Sequence, residues 1–157
     1  MHVRPATLRD IKAVALCETR AFAAFVSGHA DQTVARHDLA SQLADGAIHV
    51  IGDGADVFGY ISMWPTAGHL FIETLAVLPE RRTQGLASRL LAFAEREAAR
   101  LRLPSVRLFT KETMAGNLAF YRRRGYREVG RCDEDGFARV FYAKDVAARA
   151  ADALRAV

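Results

Sequence analysis

A leucine-rich segment with helical spacing lies between two short apolar segments, and this order constrains the fold more than any other feature of the sequence. The apolar segments are His69–Val77 and Ser105–Thr110, and the helix between them is predicted from about Gly85 to Leu101. Two strands joined through a helix of this length run parallel to each other. A right-handed strand–helix–strand crossover is therefore predicted at the centre of a sheet.

The remaining elements are predicted to surround this crossover. A capping-box spacing at Thr7 and Asp10 opens the first helix, and Gly125 ends the last one. The predicted elements, in chain order, are a strand at His2–Ala6, helices from Thr7 to about Phe25 and from Thr33 to Ala44, strands Ala47–Gly52 and Asp56–Trp64, the crossover, a helix Met114–Arg124, strands Tyr126–Cys132 and Ala138–Lys144, and an alanine-rich tail from Val146 that is either a short helix or frayed. The predicted fold class is α/β with mixed α+β character: about seven mostly antiparallel strands with helices on both faces.

Composition predicts one domain in a reducing compartment. With 157 residues, 51% of them apolar, the chain suits a single core over residues 1–157. Charged residues interrupt the N-terminal segment, so we expect neither a secretory leader nor a membrane span, and a cytoplasmic location. Cys17 and Cys132 are too far apart in sequence for a metal motif. We expect both to be small buried hydrophobes, and no metal site.

The positive charge of the chain comes mainly from arginine. A net charge of +4 could attract nucleic acid, a small polyanion or no particular partner. No aromatic residues alternate with basic ones as on a base-stacking surface, and no helix-turn-helix or zinc-finger pattern is present. Nucleic acid is therefore a minor alternative.

The turn inside the crossover has the chemistry of an anion site. Gly85 stands where the helix begins, after Arg81 and Arg82. A helix start offers unpaired backbone N–H groups and a partial positive charge, and glycine lets an anion approach the backbone closely. The spacing matches neither a P-loop nor a dinucleotide fingerprint. Taken alone, an ordinary strand-to-helix loop explains these residues as well as a phosphate site does.

The segment "RTQGLA", Arg82–Ala87, resembles the R/Q-x-x-G-x-G/A signature of the GNAT superfamily of acyl-CoA-dependent N-acetyltransferases. A second stretch, "NLAFYRRRGYREVGR" at Asn117–Arg131, is similar to another segment of that family, with its Asn, Tyr, Gly and aromatic residue in the expected order. The segment "VRPAT" at Val3–Thr7 fits the usual start of the family. The resemblance covers nearly the whole chain. It implies a GNAT-like fold and the transfer of an acetyl group from acetyl-CoA to an amine.

The resemblance also implies a set of residues that bind acetyl-CoA. Backbone N–H groups of the turn would hold the pyrophosphate, and the backbone of Leu75 and Val77 would pair with the pantetheine arm. The sheet would splay between the two crossover strands to admit the cofactor. The implied cofactor-binding residues are Leu75, Ala76, Val77, Arg82, Gln84, Gly85, Leu86, Ala87, Ser88, Asn117 and Tyr121.

Two residues carry the implied chemistry. Tyr121 would donate a proton to the departing thiolate, and Glu73 would act as the general base that deprotonates the amine, with Glu112 as second choice. The N–H of Leu75 would polarise the thioester oxygen. From the residues alone, Tyr121 is equally a core tyrosine and Glu73 an exposed strand residue.

The acceptor is not encoded in any readable motif. His29, Asp31 and His37 are candidates for lining its pocket. An amino acid, an amine-bearing antibiotic and a protein N-terminus remain open, whereas a polyamine is not favoured. The alternatives to an enzyme are a non-catalytic acyl-CoA-binding regulatory module and a basic nucleic-acid-binding protein. The expected partners are acetyl-CoA and a small-molecule or peptide amine, with a homodimer also open.

Overall fold

The computed structural model describes residues 1–23, 39–134 and 136–146. The predicted end of the first helix, the start of the second, the tail beyond Val146 and the acceptor candidates His29, Asp31 and His37 lie outside these residues. The elements are β1 (His2–Pro5), α1 (Ile11–Phe22), α2 (residues 39–44), β2 (Ile48–Asp53), β3 (Asp56–Thr66), β4 (His69–Val77), α3 (Leu86–Arg100), β5 (Ser105–Lys111), α4 (Ala115–Arg123), β6 (Arg127–Glu134) and β7 (Phe137–Asp145).

The strands form one mixed sheet in the order β1-β2-β3-β4-β5-β7-β6. β4 pairs in parallel with β5, while the pairs β1–β2, β2–β3, β5–β7 and β7–β6 are antiparallel. The parallel ladder joins Leu70–Ile72 to Val106–Leu108, although β4 continues to Val77 and β5 to Lys111. The seven strands and the parallel crossover confirm the predicted fold class.

The described residues form two compact units, each made of two chain segments. The first unit takes its residues from Met1–Met63 and Thr74–Phe93, and the second from Trp64–Glu73 and the chain from Ala94 onward. The elements β3, β4 and α3 each contribute to both units.

In the first unit, neighbouring residues of β2 face helices on opposite sides. Ile48 and Val50 belong to a buried cluster with residues of α1, whereas the ring of His49 lies 4.7 Å from that of Phe93 on α3. This alternation is the period of a strand that is buried on both faces. The cluster on the α1 side contains Val14, Cys17, Ala21, Leu39, Ile48, Val50, Val57, Tyr60 and Ala76.

The second unit has one buried sheet face and one face that is partly exposed. The buried face carries aliphatic and tyrosine side chains from three strands: Leu70, Ile72, Val106, Leu108, Val140 and Tyr142. The opposite face carries a continuous row of rings, which we call the aromatic face: Trp64, Phe71, Phe109 and Phe141. None of these four rings is fully buried.

One expectation about the cysteines is wrong. Cys17 is fully buried in the first core, as expected, but Cys132 is exposed. Its strand, β6, is one of the two edge strands of the sheet, and its residues from Arg127 to Asp133 are all exposed. A period-two pattern cannot distinguish an outer strand from an inner one, and this is why the sequence misplaced Cys132.

The start of the α1 segment is fixed by a buried carboxylate. Asp10 accepts hydrogen bonds from the Arg4 guanidinium at 2.8 and 2.9 Å and from the Thr7 backbone N–H at 2.8 Å. The Thr7–Asp10 spacing is thus used as predicted, although the first turn, Leu8–Asp10, is a 3-10 helix. The hydrogen bonds from Arg4, ahead of that from Thr7, lower the pKa of Asp10 to about 2.

Because the folded-state pKa of Asp10 is lower than its ordinary value, its stabilisation is complete above about pH 4 and is lost as the pH falls towards about 2. Asp10→Asn should therefore lower the free energy of unfolding at neutral pH by about 2 kcal/mol, with a smaller deficit near pH 3. Urea unfolding at both pH values measures this, with Asp45→Asn in an exposed turn as the control. An equal deficit at both pH values would contradict the assignment.

Candidate functional site

The turn between β4 and α3 belongs to the first unit and is built around Gly85. A 3-10 helix, Pro79–Gln84, ends at this glycine, and α3 begins at the next residue. Gly85 has φ +74°, a left-handed conformation that side chains rarely adopt. Among the described residues, no atom apart from those of its two chain neighbours lies within 4 Å of the position that a Cβ would occupy. The backbone here is therefore open to a ligand on the side where other residues carry a side chain.

The residues that follow Gly85 offer backbone donors rather than charged side chains. Leu86 is buried with 2% exposure and anchors the first turn of α3, while Ala87 and Ser88 are half-buried and Gln84 is exposed. The first N–H groups of an α-helix have no partner within the helix. Together with the partial positive charge of the helix start, these groups suit a phosphate.

The arginines before the turn fasten it to neighbouring elements. The Arg81 guanidinium lies 3.9 Å from the centre of the Phe58 ring, and Arg82 donates a hydrogen bond of 2.6 Å to the carbonyl of Ala21 near the end of α1. Glu80 accepts two hydrogen bonds of 2.8 Å from Arg20. Arg82 is exposed and has further N–H donors, so its position in the turn suits an anion contact as well.

The end of β4, also in the first unit, lies tightly against β3. A Cβ on Gly59 would lie 2.8 Å from the carbonyl oxygen of Ala76, and the N–H of Leu78 donates to the carbonyl of Phe58 at 2.8 Å. Leu75 is half-buried and Val77 is buried. These residues lie beyond the ladder that β4 forms with β5, which ends at Ile72.

Tyr121 lies on α4 in the second unit, within a cluster of aromatic rings. Its side chain is 7% exposed, and its ring lies 5.9 Å from that of Tyr126 and 6.0 Å from that of Tyr142. Burial raises the pKa of Tyr121 above its ordinary value. The phenol therefore keeps its proton at neutral and mildly alkaline pH. The hydroxyl of Tyr142 is buried and has no hydrogen-bond partner among the described residues.

Asn117 lies one turn before Tyr121 on α4. Its amide nitrogen is 3.3 Å from the sulfur of Met114 and 3.5 Å from the hydroxyl of Thr110 at the end of β5. Thr110, which the sequence did not single out, thus ties Asn117 to the sheet. Met114 is buried and Leu118 is half-buried.

The two candidate bases have different surroundings. Glu73 is exposed on β4 and, by the alternation of a strand, shares the sheet face of Phe71. Glu112 is also exposed but accepts a hydrogen bond of 2.8 Å from the Arg131 guanidinium.

A buried ion pair lies beside the tyrosine cluster, and the sequence did not suggest it. The ammonium of Lys144 on β7 lies 2.6 Å from Glu95 on α3, with 11% and 18% side-chain exposure, and the hydroxyl of Tyr126 lies 3.4 Å from the same carboxylate. The Tyr126 backbone N–H in turn donates to the carbonyl of Tyr121 at 3.0 Å. The only sequence signal is that Lys144 follows the apolar residues Val140 and Tyr142 at steps of two, which places it on the same face of the strand.

Metal and membrane features are absent from the part of the chain that the structure describes. No group of three or more His, Cys, Asp or Glu side chains could hold a metal ion among the described residues. No described helix combines the length and the apolar character that a membrane span requires.

The geometry and the order of elements agree with a known family. The acetyltransferase (GNAT) family model matches residues 14–126. The match includes β4, the Gly85 turn, α3 and the segment with Asn117 and Tyr121. The chain belongs to the GNAT family and is an acyltransferase. No curated protein sequence matches the chain significantly.

Solved structures of the same fold cover most of the chain. The PaiA N-acetyltransferase from Thermoplasma acidophilum, in complex with coenzyme A, is similar with a TM-score of 0.76 and 15% identity over 92% of this chain and 98% of that one. The ribosomal-protein-S18-alanine N-acetyltransferase from Escherichia coli is similar with a TM-score of 0.76 and 18% identity, over 92% of this chain and 93% of that one. The ribosomal-protein-alanine N-acetyltransferase from Brucella melitensis is similar with a TM-score of 0.74 and 20% identity, over 92% of this chain and 99% of that one. At these identities the similarity shows the fold.

Removing one member of the buried pair should destabilise the protein. Lys144→Met leaves the Glu95 carboxylate without its partner, which should cost about 3 kcal/mol of unfolding free energy. The double variant Lys144→Met with Glu95→Gln should recover most of it. Urea unfolding measures both, and Arg127→Met, which breaks an exposed pair with Asp145, is the control and should cost less than about 1 kcal/mol. Equal losses for the two single variants would contradict a buried, desolvated pair.

Proposed function

We propose that this chain is an N-acetyltransferase that moves the acetyl group of acetyl-CoA directly to the amine of a small molecule or peptide. The observation that carries the proposal is the open backbone at Gly85, at the start of α3 and within the region matched by the family. A Cβ would fill the position where the family's cofactor phosphates would approach. We further propose that the whole chain acts as one cytoplasmic domain.

The turn and the end of β4 supply the proposed contacts to acetyl-CoA. Backbone N–H groups of Gln84, Gly85, Leu86 and Ala87 would hold the pyrophosphate, with Arg82 and the Ser88 hydroxyl adding polar contacts. The backbone of Leu75, Ala76 and Val77 lies outside the β4–β5 ladder, which supports its pairing with the amide groups of the pantetheine arm. Asn117 would contact the cofactor directly or through water.

Acetyl-CoA supplies the acetyl group as a thioester, and the protein manages the protons. Glu73 would take one proton from the acceptor's ammonium group, which frees the lone pair that forms the C–N bond. The N–H of Leu75 would donate to the thioester oxygen. Tyr121 would give its proton to the sulfur as the C–S bond breaks, and it would regain one from the nitrogen through solvent. The net products are an amide, the free thiol of coenzyme A and one proton.

The cofactor site can be tested by calorimetric titration with acetyl-CoA. The wild type should bind with micromolar affinity, and Gly85→Glu should abolish binding because a bulky carboxylate would occupy the phosphate position. Gly46→Glu is a matched control, since Gly46 has φ +73° and, in the part of the chain that the structure describes, its Cβ position has no atom within 4 Å beyond its chain neighbours. It should bind like the wild type. A folded wild type that binds no acetyl-CoA would remove the proposed function and leave the basic nucleic-acid binder to be tested.

The base can be tested with two matched variants. Glu73→Gln should lower kcat by about 100-fold, with the largest loss at the acidic end of the pH range, where the amine is most fully protonated. Glu112→Gln should change kcat little. Thiol release measured across the pH range distinguishes the two. A large loss in Glu112→Gln alone would transfer the role to that residue, and cofactor binding without any thiol release would favour the regulatory module.

A further inference from the structure

We propose that Tyr142 is a positioning residue for Tyr121, and that its hydroxyl donates a hydrogen bond to the Tyr121 oxygen when Tyr121 gives up its proton. This inference rests on the proposed function, in which Tyr121 protonates the departing thiolate. The O–H bond of Tyr121 breaks as an S–H bond forms on coenzyme A, and Tyr142 keeps its own proton. The sequence did not single out Tyr142, which lies on β7 in the second unit.

The Tyr142 side chain is 0% exposed and lies on an inner strand of the sheet. Its strand pairs with β5 on one side and with β6 on the other, where Tyr142 stands opposite Leu108 and Glu128. Its hydroxyl has no hydrogen-bond partner among the described residues. A buried hydroxyl without a partner has lost its bonds to water and gained none in return, and proteins keep few such groups. A phenylalanine would fill nearly the same volume without this cost, so the hydroxyl calls for a functional explanation.

The unpaired hydroxyl belongs to a ring that lies beside Tyr121. The two ring centres are 6.0 Å apart, and the ring planes are inclined by 37°. Each phenol oxygen projects beyond its own ring, so the two oxygen atoms can bridge a separation of this size. The hydroxyls are not bonded to each other in this structure, since that of Tyr142 has no described partner. A donor is therefore held beside Tyr121 and is not used while both phenols are neutral.

The other polar groups beside these rings already have partners. The hydroxyl of Tyr126 lies 3.4 Å from the Glu95 carboxylate, and the ammonium of Lys144 lies 2.6 Å from the same carboxylate. Either group would have to leave Glu95 in order to donate to Tyr121. Within this cluster of described residues, Tyr142 can therefore donate to Tyr121 without giving up an existing bond.

Tyr121 needs a donor chiefly in its ionised form. Burial raises the pKa of Tyr121, which means that its surroundings disfavour the phenolate. A hydrogen bond to an ionised oxygen is stronger than one between neutral groups, and it stabilises the ionised form. The bond from Tyr142 therefore contributes most while the proton is being transferred. An interaction of this kind raises the rate of the reaction without tightening the binding of acetyl-CoA.

Tyr142→Phe tests the proposal because stability and rate should respond differently. Loss of an unpaired buried hydroxyl should leave the urea midpoint of unfolding unchanged or raise it. The single-turnover rate constant of thiol release should fall about 10-fold, whereas Kd for acetyl-CoA in calorimetry should change by less than about 2-fold. Hydroxylamine is the acceptor probe, because it is small and largely unprotonated at neutral pH, and its uncatalysed reaction is subtracted.

A double variant shows whether Tyr142 acts through Tyr121. Tyr121→Phe should lower the rate constant by about 100-fold, and adding Tyr142→Phe to it should cause no further loss. An effect of Tyr142 on structure alone would reduce the rate by the same factor in both backgrounds.

Ser62→Ala is the matched control for the loss of a buried hydroxyl. Ser62 is 0% exposed, belongs to the first unit, and also has a hydroxyl without a partner among the described residues. This variant should keep or raise the urea midpoint and leave the rate constant unchanged.

The outcomes separate this inference from the proposed function. Failure to bind acetyl-CoA, or binding without thiol release, would remove the proposed function and the inference with it. An unchanged rate in Tyr121→Phe would remove Tyr121 as the acid and overturn the inference while acetyl transfer stands. A normal rate in Tyr142→Phe beside a slow Tyr121→Phe, or equal losses from Tyr142→Phe in both backgrounds, would overturn the inference alone. A lower urea midpoint for Tyr142→Phe, or an equal loss of rate in Ser62→Ala, would overturn it as well.

Discussion

The short parallel ladder between β4 and β5 is the constraint from which the candidate site follows. The α3 crossover requires these strands to be parallel, yet the ladder covers three residue pairs and ends at Ile72 and Leu108. Within the first unit, the rest of β4 approaches β3 so closely that Gly59 leaves no room for a Cβ beside the carbonyl of Ala76. Backbone groups of a strand need hydrogen-bond partners. The end of β4 thus combines a fixed position with a backbone outside the ladder, and the Gly85 turn begins directly after it.

Local patterns were sufficient to predict most of the fold. The apolar periods placed the crossover, and Gly85 and Gly125, both at positive φ, marked the start of α3 and the end of α4. The 3-10 helix Pro79–Gln84 was missed because its six residues carry no apolar period and its course depends on contacts such as that of Arg81 with Phe58. Cys132 was misplaced because the position of β6 at the edge of the sheet is set by strand order, which a single strand's sequence does not contain.

The sequence predicts some residues of the candidate site and not others, for a related reason. Gly85, Asn117 and Tyr121 belong to short motifs whose spacing is visible in the sequence. The Lys144–Glu95 pair and the tie between Arg82 and Ala21 join residues far apart in the chain, so only the fold reveals them. The contacts of several arginines are likewise visible only in the folded structure. Arg4, Arg20, Arg127 and Arg131, which the sequence counts only towards the positive charge, form ion pairs with Asp10, Glu80, Asp145 and Glu112.

Burial affects a proton donor and its acceptor together, and this decides whether Tyr121 can serve as the acid. A phenol in water is a weaker acid than a thiol, so protonation of a thiolate by tyrosine is unfavourable there. Burial raises the pKa of Tyr121 further, which taken alone would make the transfer harder. Burial acts on thiols in the same direction, however, and in this chain it raises the pKa of Cys17 to about 12. A thiolate that forms in a similarly dry environment is therefore a stronger base than one in water, which offsets the rise in the pKa of Tyr121. The proton transfer that we propose for Tyr121 therefore depends on the exclusion of water and not on the isolated tyrosine alone.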